Sequence, residues 1–172
     1  MVGPATGRGP GILSVHLHAD GRQARALYTA APGSGLGRAD HLNREDFDSG
    51  RVHFRMDGKT VFQHGVEKMS GAVEECLQAN GLTLNDIDLL VPHQANLRML
   101  EAIVECLGIP RQKVFVNVEE YGNIASASLP IAFNEARQAE LIGAGKLVLM
   151  VAFGSGFVWG SALVRMESAE GP

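Results

Sequence analysis

The chain has 172 residues, of which 45% are hydrophobic and 20% charged, with a net charge of −4. This is enough for one domain with a sizeable core and excludes a disordered chain; the acidic balance, with the scattered Arg22 and Arg25 as the densest basic cluster, gives no nucleic-acid footprint. Cys76 and Cys106 have neither zinc spacing nor a disulfide framework, and there is no N-terminal apolar signal segment, no 18-residue apolar run and no N-x-Ser/Thr acceptor. A cytoplasmic protein with no membrane association is therefore expected.

Residues 1–10 (MVGPATGRGP) are small, Gly/Pro-rich and aperiodic, a flexible lead-in to a domain expected over 11–166, with 167–172 as a tail. Residues 11–20 alternate as a strand does, and Gly21 closes them with a turn. A second strand is expected over 25–29, a loop over 31–37 (APGSGLG), a polar patternless stretch over 38–50 and a third strand over 52–56. From Val61 the apolar residues recur at helical spacing through Val66, Met69, Val73, Cys76 and Leu77 to the Asn80-Gly81 stop. Residues 87–91 (IDLLV) read as a buried strand. A helix over 96–107 stops at Gly108, and a strand follows over 114–118 (VFVNV). Residues 124–142 read as a helix kinked by Pro130 unless the proline falls in the first turns. Residues 146–153 (KLVLMVAF) are a buried strand, and 157–165 return as the last one. The second half thus reads α-β-α-β-α-β-β: an α/β fold with a mostly parallel mixed sheet covered by helices and ending in a hairpin-like pair.

In open α/β sheets ligands bind beyond the carboxyl ends of the strands. Three segments take that place: Val91-Pro92-His93-Gln94-Ala95-Asn96-Leu97-Arg98, Tyr121-Gly122-Asn123-Ile124-Ala125-Ser126 and Phe153-Gly154-Ser155-Gly156-Phe157-Val158-Trp159-Gly160. Taken singly, each has a plain structural reading. His93 suits a cap or core position, Asn123 a helix cap or turn, and Gly-Ser-Gly a turn between strands. Their joint placement on one rim is what points to chemistry. A competing pattern, His16-x-His18-x-Asp20, puts three metal-type side chains on one strand face. Gly21 and the scattered His41, His53 and His64 supply no further ligand spacing, so strand and turn is the expected reading and no metal is assigned. No G-x-S-x-G elbow is present, since Ala152 stands where the first glycine would be. Residues 33–37 (GSGLG) lack the Lys-Ser/Thr and the helix of a phosphate loop.

Taken together, LLVPHQANLRML (89–100), GILSVHLHADG (11–21), FRMDGKTVFQHGV (54–66), YGNIASASLP (121–130) and FGSGFVWGSALVR (153–165) resemble, in order, the motifs of type III β-ketoacyl-acyl-carrier-protein synthases of the thiolase superfamily. The resemblance runs from about Gly9 to Met166 and implies the carboxy-terminal half of such an enzyme, with a thiolase-like fold. It implies an acyltransferase that starts fatty-acid synthesis by condensing an acyl-CoA primer with malonyl-ACP. No cofactor is implied, and the partners would be acyl carrier protein, the amino-terminal half and a second copy of the complete enzyme. His93 and Asn123 match the catalytic donors that hold the malonyl thioester oxygen as it gains enolate charge. A helix N-terminus beside His93 is expected to lower its pKa and keep it neutral. The Ser155 backbone amide matches the second oxyanion hole. Asn96, Gly58 and Phe62 match positions lining the pantetheine arm or primer pocket, and Arg98 a carrier-docking position.

The matching nucleophilic cysteine belongs to the amino-terminal half, absent from this sequence. Cys76, on the apolar stripe with Val66, Met69 and Val73, and Cys106, within AIVECLG near the end of the next helix, both read as small core residues, and buried thiols are inert. Ile124 stands where a hydroxyl residue is more usual, and Ser155 and Val158 vary the usual turn, which leaves the primer open. Two rival readings stand beside condensation: an inactive module that keeps a carrier- or CoA-docking surface, and a related acyltransferase of secondary metabolism. One half alone is also expected to expose apolar surface that the other would cover.

Overall fold

The computed structural model describes residues 9–33 and 41–167. Residues 1–8 of the lead-in expected over 1–10, residues 34–40 of the loop and polar stretch, and residues 168–172 of the tail expected over 167–172 lie outside the described residues.

Strand β1 (Gly11–Ala19) forms the sheet edge, followed by β2 (Leu27–Tyr28), α1 (Arg44–Asp48), β3 (Arg55–Met56), α2 (Gly58–Asn80), β4 (Leu89–Pro92), α3 (Leu97–Leu107), α4 (Val118–Tyr121), α5 (Ser128–Gln138), β5 (Leu147–Gly154) and β6 (Val158–Arg165). The main sheet runs β1-β6-β5-β4. Strands β5 and β6 pair antiparallel from Leu147 opposite Arg165 to Gly154 opposite Val158, the expected terminal hairpin. Strand β1 pairs antiparallel with β6, with an irregularity between Ile12 and Ser14. Strand β4 runs parallel to β5, Leu89 opposite Val148. The sheet is mixed, but it is not the mostly parallel sheet expected: β1–β6 and β6–β5 pair antiparallel and only β4–β5 is parallel, because β6 returns as a hairpin and β1 joins its free edge.

Helix α2 forms where the apolar period predicts it. Asp57 caps it by accepting from the Thr60 amide at 3.2 Å, and it ends at Gly81. It buries Met69, Val73, Cys76 and Leu77 against β1, β5, β6 and α3. With Leu149, Val151, Leu163 and Ile103 these make the larger core. Full burial of each such aliphatic side chain stabilises by roughly 1.5–3 kcal/mol. Helix α5 packs on the opposite face, where Ala132 and Ala136 meet Leu89, Val91 and Val148. Its small residues let it approach the sheet closely.

Helix α5 covers only the β4 side of that second face. Over β1 and β6 the face is open: Val15 is 53% exposed, Leu17 79% and Val158 47%. Gly160 lies beneath Leu17, and a Cβ there would stand 2.5 Å from the His16 carbonyl oxygen and 2.8 Å from Leu17 Cδ2. Only glycine lets β1 close on β6 at this point.

Several expected elements change. The strand over 114–118 is reduced to one parallel bridge, Val114 to Leu90, and residues 118–121 turn into helix instead. The backbone leaves the ladder because a side chain, Gln94, takes up the Phe115 carbonyl and the Asn117 and Val118 amides. The helix expected over 124–142 contracts to 128–138. Ala125 takes φ 52°, so the chain passes through a short 3₁₀ turn first. Pro130 then falls in the first turn, where its missing N–H costs no internal bond. The strands over 25–29 and 52–56 shorten to the two-residue pair β2 and β3. The patternless 38–50 contains α1, held by a reciprocal capping box between Asn43 and Asp46. Cys76 is buried as expected, but Cys106 is exposed on α3 rather than part of the core.

Candidate functional site

His93 comes directly after β4. Its amide donates to the Val151 carbonyl at 2.8 Å, continuing the β4–β5 ladder by one residue and fixing where the imidazole starts. Asn96, three residues on, caps α3 by accepting from the Met99 amide at 2.9 Å. The imidazole is half-buried, and that burial pushes its pKa below 6.5. The direction matches the expectation from sequence, and its cause is desolvation by burial.

This burial has a pH signature. The unfolded chain takes up the proton at about 6.5, before the folded one does, so His93 favours folding fully above that value. Its contribution is lost as pH falls from about 6.5 through the lower folded pKa. An NMR titration of the folded chain is expected to place the His93 midpoint below 6.5. His93→Gln is expected to flatten part of the fall in thermal stability between about pH 7 and 5. A midpoint at or above 6.5 would contradict the burial argument.

Asn123 arrives from α4 through Gly122, whose φ of 67° with ψ of −165° is open to glycine and costly for any other residue. Its Oδ1 accepts from the Ala125 amide at 3.0 Å, and the Ile124 amide is taken by Ser128 Oγ at 3.1 Å. Asn123 Nδ2 makes no hydrogen bond among the described residues, so the amide group is oriented through its oxygen while its N–H donors stay available. Ser155 lies in the β5–β6 turn, and its hydroxyl donates to the Leu27 carbonyl at 2.5 Å. The neighbouring Ala26 carbonyl accepts the Asp57 amide at 2.8 Å, so one short segment supports both the Ser155 turn and the start of α2.

Residues of all three rim segments line one cavity, although of His93, Asn123 and Ser155 only His93 does. A cavity of about 750 Å³ is lined by His93, by Ala125 and Ser126 just after Asn123, and by Phe153 and Gly154 just before Ser155. Leu129, Pro130, Met150 and the open β1–β6 face complete its apolar wall. Asn123 and Ser155, although next to lining residues in the chain, are not themselves among the residues that line it. A second cavity of about 730 Å³ gathers Gly58, Phe62, Asn96 and Arg98, together with Lys59 and Gln63, which the sequence did not single out. The Arg98 guanidinium stands 6.0 Å from the Phe62 ring centroid, within reach of a cation–π contact. The segment 93–98 contributes to both cavities, with His93 on the first and Asn96 on the second.

The His16-x-His18-x-Asp20 face divides. His18 Nε2 lies 2.6 Å from Glu75 Oε2 and His16 Nδ1 3.5 Å from its Oε1, both facing α2. Asp20 turns away to Arg22, which donates at 2.8 and 2.7 Å and lowers the carboxyl pKa to about 2. Among the described residues no group of three or more His, Cys, Asp or Glu is arranged to hold a metal. No described helix is long and apolar enough to cross a membrane.

The fold and this rim place the chain among proteins with a thiolase-like architecture, as the carboxy-terminal half of one. A solved 3-oxoacyl-(acyl carrier protein) synthase III from Pseudomonas aeruginosa superposes with a TM-score of 0.82 at 33% identity, over 96% of this chain and 49% of that one. A solved β-ketoacyl-[acyl carrier protein] synthase III from Thermus thermophilus gives 0.81 at 40% identity, over 94% and 48%. In sequence, the β-ketoacyl-[acyl-carrier-protein] synthase III of Methylococcus capsulatus is 46% identical over 156 residues, which is 91% of this chain and 46% of that protein. Residues 77–166 match the model of the 3-oxoacyl-[acyl-carrier-protein] synthase III C-terminal family, and the chain belongs to that family. It spans about half the length of the curated relatives it matches.

Proposed function

We propose that this chain supplies the decarboxylating half of a type III β-ketoacyl-acyl-carrier-protein synthase, with the acyl-accepting cysteine supplied by an amino-terminal half. The observation that carries the reading is the convergence of the His93, Asn123 and Gly154–Ser155 segments around one apolar cavity. In the proposed reaction the malonyl C–C bond breaks and carbon dioxide leaves. The electron pair moves onto the thioester oxygen as an enolate. His93, neutral because it is half-buried, and Asn123, which cannot titrate, donate N–H hydrogen bonds to that oxygen. The enolate carbon then attacks the acyl-cysteine carbonyl, whose developing charge meets the Ser155 amide, and the cysteine thiolate leaves.

The second cavity suits the arm that delivers the malonyl group. Gly58 and Phe62 offer it close backbone and an aromatic wall. Asn96 and Arg98 offer polar and cationic groups for an acidic acyl carrier protein or the phosphates of CoA. No cofactor enters this chemistry. The primer stays open, because part of its pocket would lie in the other half. In this reading the reaction would initiate fatty-acid synthesis in the cytoplasm, carried out by a homodimer of the complete enzyme. The open β1–β6 face favours a chain that works only when covered, rather than an independent docking module.

The test is to assay malonyl-ACP decarboxylation and condensation with the chain alone and after mixing with an amino-terminal half that carries the cysteine. Activity only in the mixture is expected. Activity from the chain alone would turn attention to the exposed Cys106 and overturn the division of roles.

A further inference from the structure

Gln94 is only 1% exposed, yet it lies between His93 and the cap of α3 and takes no part in the proposed chemistry. A buried primary amide can donate twice and accept twice, and each group left unpaired is costly. Here all four places are filled. Nε2 donates to the Pro92 carbonyl at 2.9 Å and to the Phe115 carbonyl at 3.1 Å. Oε1 accepts from the Asn117 amide at 3.0 Å and the Val118 amide at 3.2 Å. One side chain thus fastens the exit of β4, where His93 sits, to the entry of α4, the turn that delivers Asn123.

The linkage continues on the far side of α4. Asn117 is 7% exposed, and its Nδ2 donates to Glu135 Oε2 at 2.7 Å. The Tyr121 hydroxyl donates to the other oxygen, Glu135 Oε1. Glu135 belongs to α5, so this carboxylate grips both ends of the four-residue α4 and fixes them to the helix that packs on β4. The Gly122 amide then closes on the Val118 carbonyl at 2.8 Å, and Asn123 comes next.

We propose that Gln94 and Glu135 are positioning residues that hold the His93 loop and the Asn123 loop in one fixed mutual geometry. The inference rests on the decarboxylation reading above, because only a reaction that needs both donors on one oxygen gains from locking the two loops together. The His93 loop follows strand β4 and the Asn123 loop follows helix α4, and the two share no continuous backbone ladder beyond the single Val114–Leu90 bridge. Without the side-chain linkage nothing regular would fix their separation. Oxyanion donors are effective only when preorganised, and small misplacement is expensive.

The test uses the enzyme assembled from this chain and its amino-terminal half. Gln94→Glu keeps the acceptor for the Asn117 and Val118 amides but loses the donors to Pro92 and Phe115. It is expected to lower kcat for malonyl decarboxylation by roughly 10²-fold. Glu135→Ala is expected to lower it by roughly tenfold, and Glu135→Gln, which can still accept from Tyr121, to recover part of that loss. The KM for the malonyl thioester and the rate of cysteine acylation are expected to stay unchanged. Amide exchange at Ile124 and Ala125 is expected to quicken in both Gln94→Glu and Glu135→Ala. A purely structural role would lower thermal stability without this kcat-against-KM split. Unchanged kcat in Glu135→Ala despite faster exchange would overturn the proposal. Glu135 is half-exposed at the surface of α5, so its variants are expected to fold and to carry the test even if those at Gln94 do not. His93→Ala, assayed alongside, separates the two claims. If it leaves decarboxylation intact, the underlying reading has failed; if it alone is impaired, the positioning role has.

Discussion

In the assembled enzyme, His93→Ala and Asn123→Ala are each expected to lower malonyl decarboxylation by about 10²–10³-fold, the cost of losing one oxyanion donor. Cysteine acylation, which needs neither group, is expected to proceed at its normal rate. The reason lies in what each side chain has free. Asn123 Oδ1 is occupied by the Ala125 amide, which orients the group and leaves its N–H bonds for a ligand. His93 is held by a backbone bond to Val151 and kept neutral by burial, so it keeps one N–H to give and no positive charge to lose. Because both donors would serve one oxygen, the double variant is expected to fall short of the product of the single losses. Radiolabelled carbon dioxide release measures the first step, and acyl transfer from labelled acyl-CoA to the cysteine measures the second. Loss of acylation with decarboxylation preserved would reverse the assigned roles.

The second large effect concerns assembly. Leu17→Asp is expected to leave the isolated chain folded, with its stability changed by about 0.5 kcal/mol or less, because Leu17 is 79% exposed. The same change is expected to weaken association with an amino-terminal half by about 10²-fold or more, since an unpaired carboxylate would have to be buried among Val15, Val158 and Gly160. Leu17→Ala is expected to weaken it less, losing only apolar area. Sedimentation of mixed halves reports the association, and thermal melting of the single chain reports the fold. If Leu17→Asp associates normally, the open β1–β6 face is not the covered one, and the chain loses its physical basis as a half-molecule.

Much of this architecture is legible in the residues because local pattern and global packing agree. Helix α2 is written in its apolar period, and β5 and β6 in two apolar runs around Gly154-Ser155-Gly156. The three rim segments stand out because each begins where a strand is expected to end. The failures have specific causes. Residues 114–118 carry a strand's composition but lose their ladder to the distant Gln94 side chain, an interaction too long in range for any local window to detect. Ala125 adopts a positive φ despite its high helix propensity, because the Asn123 and Ser128 side chains fix the turn around it. Cys106 comes after an apolar run yet faces solvent, one residue off the buried stripe of Met99, Ile103 and Leu107. The Asn43–Asp46 capping box is visible as a spacing of Asn and Asp, but it heads too short a helix to show periodicity. The linkage through Asn117, Tyr121 and Glu135 leaves no local sequence sign, because its partners lie at the ends of α4 and on α5, 14 to 18 residues apart. Lys59 and Gln63 leave none beyond lying near Gly58 and Phe62.

The most direct test of the division into two halves is a titration of this chain into a fixed amount of the cysteine-bearing amino-terminal half, monitoring condensation of acyl-CoA with malonyl-ACP. Neither half alone is expected to give product. The rate is expected to rise to a plateau at equimolar mixing, because each site is completed by one copy of His93 and Asn123. Product from this chain alone, or no product at any ratio although the halves associate, would contradict a shared site.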